Sequence, residues 1–246
     1  MAAAVKLDPY LPIPNRINGL DISSVQRNID MQAVKDAGFD FIYIQSSRYS
    51  STKESLFPGL LEKARKAGLV VGAYHFFSPT SPPDKQAEFF FGAAEGLGKD
   101  PGDLPPMLDW ENEPTCKRPN HKSLCVKEIQ QFANKCKELW YPHDGLTHNP
   151  RYPTIYTYPY YATAHQPALA QATELDYFPL TYASYTEGLD ILESRIPAHP
   201  LPKPWTEWTL CQFKGNEGRA RGCPGPVDRL LFRGNHEEFQ AFRGLQ

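Results

Sequence analysis

Eight apolar, β-prone runs recur along the chain, and each of the first five is followed by a segment with helical periodicity. Few folds accommodate that alternation. The runs cover 17–22, 39–46, 69–77, 104–111, 153–158, 177–184, 206–213 and 226–232. Helices are expected over 30–37 and 53–67, which stop at Gly38 and Gly68, and over 84–97. Another is expected over 121–140, where Cys125, Ile129, Phe132, Cys136 and Leu139 form one apolar stripe. A fifth, 160–172, is interrupted by Pro167. The connections 186–205 and 214–225 are rich in Pro, Gly and charge and show no helical pattern. The pattern predicts an α/β chain with parallel strands and right-handed crossovers. It fits an irregular TIM-like barrel of five strand–helix units followed by three strands, and an open doubly wound sheet would read similarly.

Composition removes several classes of function. Basic and acidic residues nearly balance, 26 against 28, so no bulk attraction to nucleic acid or anionic lipid is expected. No apolar run approaches the roughly 18 residues of a membrane span, and 1–18 lacks the basic start and apolar stretch of a secretory signal. The 24 prolines are dispersed as loop punctuation. No glycine-rich phosphate loop, nucleophile elbow or H-E-x-x-H pattern occurs, and no cofactor is called for. Cys116, His121, Cys125 and Cys136 lie close in sequence, but on a helix Cys125 and Cys136 stand about 16 Å apart, too far for one zinc ion. Should the protein work outside a cytoplasm, Cys116 would pair with Cys125 and Cys211 with Cys223, each bracketing a short polar loop and leaving Cys136 reduced.

In a parallel barrel the chemistry lies at the C-terminal strand ends. The fourth run ends Asp109-Trp110-Glu111, and residues two apart on a strand share a face, so both carboxylates project together. Held close, they push their pKa values apart, which lets one remain an acid while the other is charged. A lone D-x-E suits a solvated loop equally well. Asp21, ending the first run, and Asp228, opening the last, add carboxylates from strands that are neighbours in a closed barrel. Tyr74, His75, Trp110, Tyr156, Tyr158, Tyr182, Tyr185 and Trp208 cluster on the same runs. Aromatic faces beside carboxylates suit a sugar, although many of these rings also suit barrel packing. His75 reads equally as a buried polar residue, and Cys136 as core.

These stretches resemble the family 25 glycoside hydrolases, the Chalaropsis-type lysozymes. The resemblance runs in order from about Asn18 to Asn235 through G-L-D-I-S-S-V-Q (19–26), A-G-F-D-F (37–41), A-G-L-V-V-G-A-Y-H-F (67–76), L-P-P-M-L-D-W-E (104–111), I-Y-T (155–157) and Val227-Asp228. It implies a barrel that hydrolyses the β-1,4 bond after N-acetylmuramic acid in peptidoglycan. It implies Glu111 as general acid and Asp109 as the residue that orients the substrate acetamido group or stabilises the positive sugar. Asp21 and Asp228 resemble supporting acidic residues at the groove floor, and Tyr74, Tyr156 and Gln212 substrate-contacting positions. Two positions depart from the family pattern: Arg48 stands where a Glu is usual, and Thr181 where many members have Trp.

On this reading residues 1–246 form a single catalytic domain, with 1–17 an N-terminal extension and no separate wall-binding module. The enzyme is expected as a monomer acting on peptidoglycan without membrane insertion, nucleic acid or metal. It would be made in a cytoplasm without a leader, as a phage endolysin is, and act at the wall or in the periplasm. The rival is a noncatalytic glycan-binding or virion structural protein on the same barrel.

Overall fold

The computed structural model describes residues 8–99, 101–111, 121–141, 151–165, 168–185, 196–215 and 217–245. The strands are β1 (Ile17–Ile22), β2 (Phe41–Arg48), β3 (Thr52–Lys53), β4 (Val70–Phe76), β5 (Met107–Asp109), β6 (Thr154–Thr157), β7 (Leu180–Ala183), β8 (Leu210–Lys214) and β9 (Asp228–Phe232). Between them lie α1 (Met31–Asp36), α2 (Phe57–Lys66), α3 (Pro83–Ala93), α4 (His121–Trp140), α5 (Pro159–Ala164) and α6 (Ala168–Gln171), and α7 (His236–Phe242) follows β9. Strand order β1-β9-β8-β7-β6-β5-β4-β2 closes through β1–β2 pairing into an eight-stranded barrel, with the short β3 hairpinned onto the end of β2. The five strand–helix units and three closing strands expected from the pattern are present.

Local chemistry explains the boundaries. Asp30 caps α1 by accepting from the Ala33 amide, and Gly38 takes φ +99° just beyond it. The second helix starts at Phe57 rather than 53, because Pro58 sits in its first turn and Thr52–Lys53 pairs with β2 instead. β5 is only three residues long, since Pro105 and Pro106 lack the amide hydrogens a ladder needs. The fifth helix is split into α5 and α6, on either side of the segment that contains Pro167. α7 has no counterpart in the sequence reading, although Asn235 and Glu238 form a capping box at its start.

The chain is not all-parallel: β9 runs antiparallel to both β1 and β8. The connection from β8 holds no helix among its described residues to carry the chain across the sheet, and β9 returns beside β8 in the opposite direction.

Alternation along the strands sorts two apolar layers. Outward residues such as Leu20, Ile42, Ile44, Val71, Leu108 and Ile155 pack against the helices, where α4 contributes Cys125, Ile129, Phe132, Cys136 and Trp140. Inward residues Ile17, Phe41, Tyr43, Met107, Leu210, Leu230 and Phe232 fill the barrel. Phe239 of α7 packs on Phe41 and Phe232 at 5.6 and 5.1 Å, closing the end remote from Asp21. Gly19 makes room for this filling: a Cβ there would lie 2.2 Å from the Phe41 ring.

The expected Cys211–Cys223 bridge is absent, and both thiols are free. Cys211 packs outward with Ile13, Phe213 and Leu231, whereas Cys223 belongs to the layer against Val34 and Val227, so the two occupy different apolar clusters. Cys116 lies outside the described residues, and the Cys116–Cys125 bridge with it. Cys136 is buried on α4, where burial pushes its thiol pKa well up.

Candidate active site

The inward face of the barrel is apolar until the strands reach their C-terminal ends, where it turns polar. Successive inward positions Ile17, Gly19 and Asp21 on β1, and Met107 and Asp109 on β5, make that change within one or two residues. Asp21, Asp109, Tyr74, Tyr156 and Gln212 are all buried at this level, and Glu111 and Asp228 are half-buried. The antiparallel direction of β9 is decisive for Asp228, because the start of β9 lies beside the end of β1 and pairs Asp228 with Asp21. Every site residue named from the sequence is therefore brought to one end of the barrel.

Trp110 points the other way. Its ring is fully buried against Tyr161 and His165, its Nε1 donates to the Cys125 Sγ at 3.3 Å, and its amide donates to the Tyr156 carbonyl. Anchored between its carboxylate neighbours, it holds Asp109 and Glu111 on the cleft side.

A hydrogen-bonded chain crosses the floor. Tyr156 and Tyr185 both donate their hydroxyls to the Gln212 Oε1, at 3.1 and 2.7 Å, and the Gln212 Nε2 donates to the Asp21 Oδ2 at 2.8 Å. Asp21 in turn shares a side-chain hydrogen bond with Asp228. Tyr185 was named from sequence among the aromatics but not among the site residues. The signal was available, since Thr181, Ala183 and Tyr185 share one face of the β7 segment.

Crowding orders the titrations. Burial raises Asp228 to about 6, opposed by its hydrogen bond with Asp21. Burial and the neighbouring Asp228 raise Glu111 to about 7. Asp21 is held well above the usual carboxylate range by burial and Asp228, and Asp109 by burial and Glu111. Near neutrality Asp228 is mostly charged and Glu111 is near its midpoint. The Oδ1 of Asp109 is buried without a hydrogen-bond partner among the described residues. Beside Asp21 and Asp228, a cleft of about 300 Å³ opens between the turn after β1 and the segment before β9, lined also by Ser23, Val25, Gln26, Tyr74 and Pro226.

Other polar residues fall outside the cleft. His75 is fully buried in the helix–barrel layer, where its Nδ1 meets the Ser47 hydroxyl at 2.8 Å and burial lowers its pKa to about 3. It is a neutral structural group. Thr181, the register partner of Tyr156, is buried with its hydroxyl paired to that of Thr154 at 2.6 Å. Arg48 does not add an uncompensated positive charge, because its guanidinium pairs with the nearly buried Glu54. No group of three or more His, Cys, Asp or Glu side chains is arranged to hold a metal among the described residues.

Two inward carboxyls at one strand end, a second acidic pair beside them and tyrosines around the cleft are the equipment of a barrel glycoside hydrolase. Residues 20–219 match the model of Glycosyl hydrolases family 25, and the chain belongs to that family. It is 35% identical over 224 residues to "Lysozyme M1" of Streptomyces globisporus, covering 89% of this chain and 68% of that protein. To the "N,O-diacetylmuramidase" of Arthroderma benhamiae it is 28% identical over 161 residues, 64% of this chain and 66% of that one. The fold superposes on the bacterial lysozyme of Streptomyces coelicolor with a TM-score of 0.76 at 25% identity, covering 94% of this chain and 98% of the other. On the family GH25 lysozyme of Aspergillus fumigatus the TM-score is 0.73 at 27% identity, covering 92% and 98%.

Proposed function

We propose that this glycoside hydrolase is a muramidase, which cleaves the β-1,4 bond between N-acetylmuramic acid and N-acetylglucosamine in bacterial peptidoglycan and so acts on the cell wall. The observation that carries the mechanism is the pairing of Glu111, whose pKa lies close to neutrality, with Asp109, whose buried Oδ1 has no hydrogen-bond partner among the described residues. Glu111 donates its proton to the glycosidic oxygen as the bond to C1 breaks. The carbonyl oxygen of the substrate's own acetamido group closes on C1 from the opposite face. The Asp109 Oδ1 accepts the acetamido N–H, which orients that group as its carbonyl oxygen closes on C1. Water, deprotonated by the Glu111 carboxylate, then opens the ring intermediate at C1, returning the proton to Glu111 and retaining the β configuration. Asp228 supplies the negative charge that keeps Glu111 protonated until the substrate arrives.

Turnover of purified peptidoglycan, with the reducing end of the products identified, tests this reading. The noncatalytic alternative predicts wall binding without release of fragments. Gel filtration and limited proteolysis address the expected single-domain monomer. Fractionation of expressing cells addresses synthesis without a leader and an endolysin-like route to the wall.

A further inference from the structure

An amide side chain has a polarity, and the site fixes that of Gln212 from both ends. Its Oε1 can only accept, and it meets two hydroxyl donors, Tyr156 and Tyr185. The Nε2 is thereby turned toward the Asp21 Oδ2. With that oxygen committed as an acceptor from Gln212, the hydrogen bond between the Asp21 and Asp228 carboxyls is the one left to take the Asp21 proton. Gly215 leaves the room that Tyr185 occupies as it reaches Gln212. A Cβ on Gly215 would stand 2.8 Å from the Tyr185 Cζ and 2.9 Å from its hydroxyl oxygen. Gly215 shows no positive φ, so the requirement is space and not backbone conformation.

We propose that Tyr185 is a positioning residue of this site: seated over Gly215, it locks the Gln212 amide and thereby keeps the Asp21 proton on Asp228 and the charge of Asp228 facing the acid. The proposal rests on the reading of Glu111 as that acid. The groups facing the cluster are Asp21 from β1, Tyr74 from β4, Asp109 from β5 and Glu111 just beyond it, Tyr156 from β6, Tyr185 beyond β7, Gln212 from β8 and Asp228 from β9. From β2, Arg48 faces Tyr74 with its charge already matched by Glu54. If the amide turns over, Asp21 donates to Gln212 instead, Asp228 loses its donor and takes up a proton more readily, and Glu111 is pushed up less.

The test is the pH dependence of kcat and KM on purified peptidoglycan for Tyr185→Phe, Gly215→Ala and Tyr156→Phe/Tyr185→Phe, with Glu111→Gln measured alongside. The expected result is an alkaline limb moved to lower pH by about one unit in Tyr185→Phe and Gly215→Ala, and further in the double variant, with KM nearly unchanged. An unmoved limb, a uniform loss at every pH that follows a lower Tm, or a rise in KM alone each overturns the proposal. The last result would make Tyr185 a substrate contact. A Glu111→Gln enzyme that keeps its activity and its alkaline limb fails the acid assignment itself, whatever Tyr185 does. Failure of the positioning role is seen instead when Glu111→Gln loses both and Tyr185→Phe leaves the limb in place.

Discussion

Asp21 and Asp228 face each other as register partners across the antiparallel β1–β9 ladder and share one hydrogen bond between their carboxyls, although they lie near opposite ends of the chain. Two acidic side chains in that position repel unless one keeps its proton, and burial makes the protonated form of Asp21 the favoured one. Burial first, and then the charge left on Asp228, raise Glu111 to about 7. Asp228→Asn therefore lowers the pKa of Glu111, and the alkaline limb of the rate profile moves to lower pH. An initial-rate profile on purified peptidoglycan checks this. A limb that stays in place removes Asp228 from the control of the acid.

The same crowding sets a stability cost. Glu111 and Asp228 have folded pKa values, about 7 and about 6, above those of an unfolded chain, so the folded state binds their protons more tightly. That contribution is fully present below about pH 4 and is lost as pH rises through 7. Glu111→Gln should consequently be more stable than the parent at pH 8, by roughly 1–3 kcal/mol, and show little gain at pH 4. Urea unfolding at the two pH values decides it.

Activity should respond to Glu111→Gln by a fall of roughly 10²–10⁴ in rate, because the variant keeps shape and polarity but has no proton to give. Asp109→Asn should be slowed by about 3–4 kcal/mol of lost transition-state stabilisation while keeping its alkaline limb, since Glu111 is untouched. Pull-down on purified walls should find both variants binding as the parent does. Parental rates in Glu111→Gln would place the acid elsewhere.

Participation of the substrate acetamido group requires two displacements at C1, so the first product formed carries the β configuration. Early-time NMR of the released reducing end reads this directly. An α product would exclude the mechanism with Asp109 as orienting group and Glu111 as both acid and base.

Gly19→Ala tests the barrel filling. The new Cβ would lie 2.2 Å from the Phe41 ring, which is itself held by Phe239. A loss of about 1–3 kcal/mol or failure to fold is expected, and a thermal melt equal to the parent's would show that the ring can move aside.

Much of this molecule was legible from its residues. Two-residue alternation placed Asp109 and Glu111 on one face, and helix stops at Gly38 and Gly68 marked the first crossovers, whereas Trp110, grouped from sequence with the cleft aromatics, turns into the helix layer. These features are local, and the backbone's own periodicities impose them. Less was legible where the signal was short or masked by its surroundings: the seven-residue α7 has only its Asn235–Glu238 cap to announce it, and Arg48 gives no hint along the chain that Glu54 neutralises it.

By itself the sequence determined which residues could share a face, where helices stop, and that carboxyls gather at the ends of apolar strands. Only the tertiary structure decided that β9 runs backwards, and this direction carries Asp228 to the end of the barrel where Asp21 and Glu111 lie. It also decided that Tyr185, Gln212 and Asp21 form one hydrogen-bonded chain and that Cys211 and Cys223 point into separate cores. The physical reason is that alternation specifies a side chain's face but carries no sign for strand direction. Direction and register are set by how the closing strand meets both edges of the sheet at once, a condition that exists only when the barrel closes.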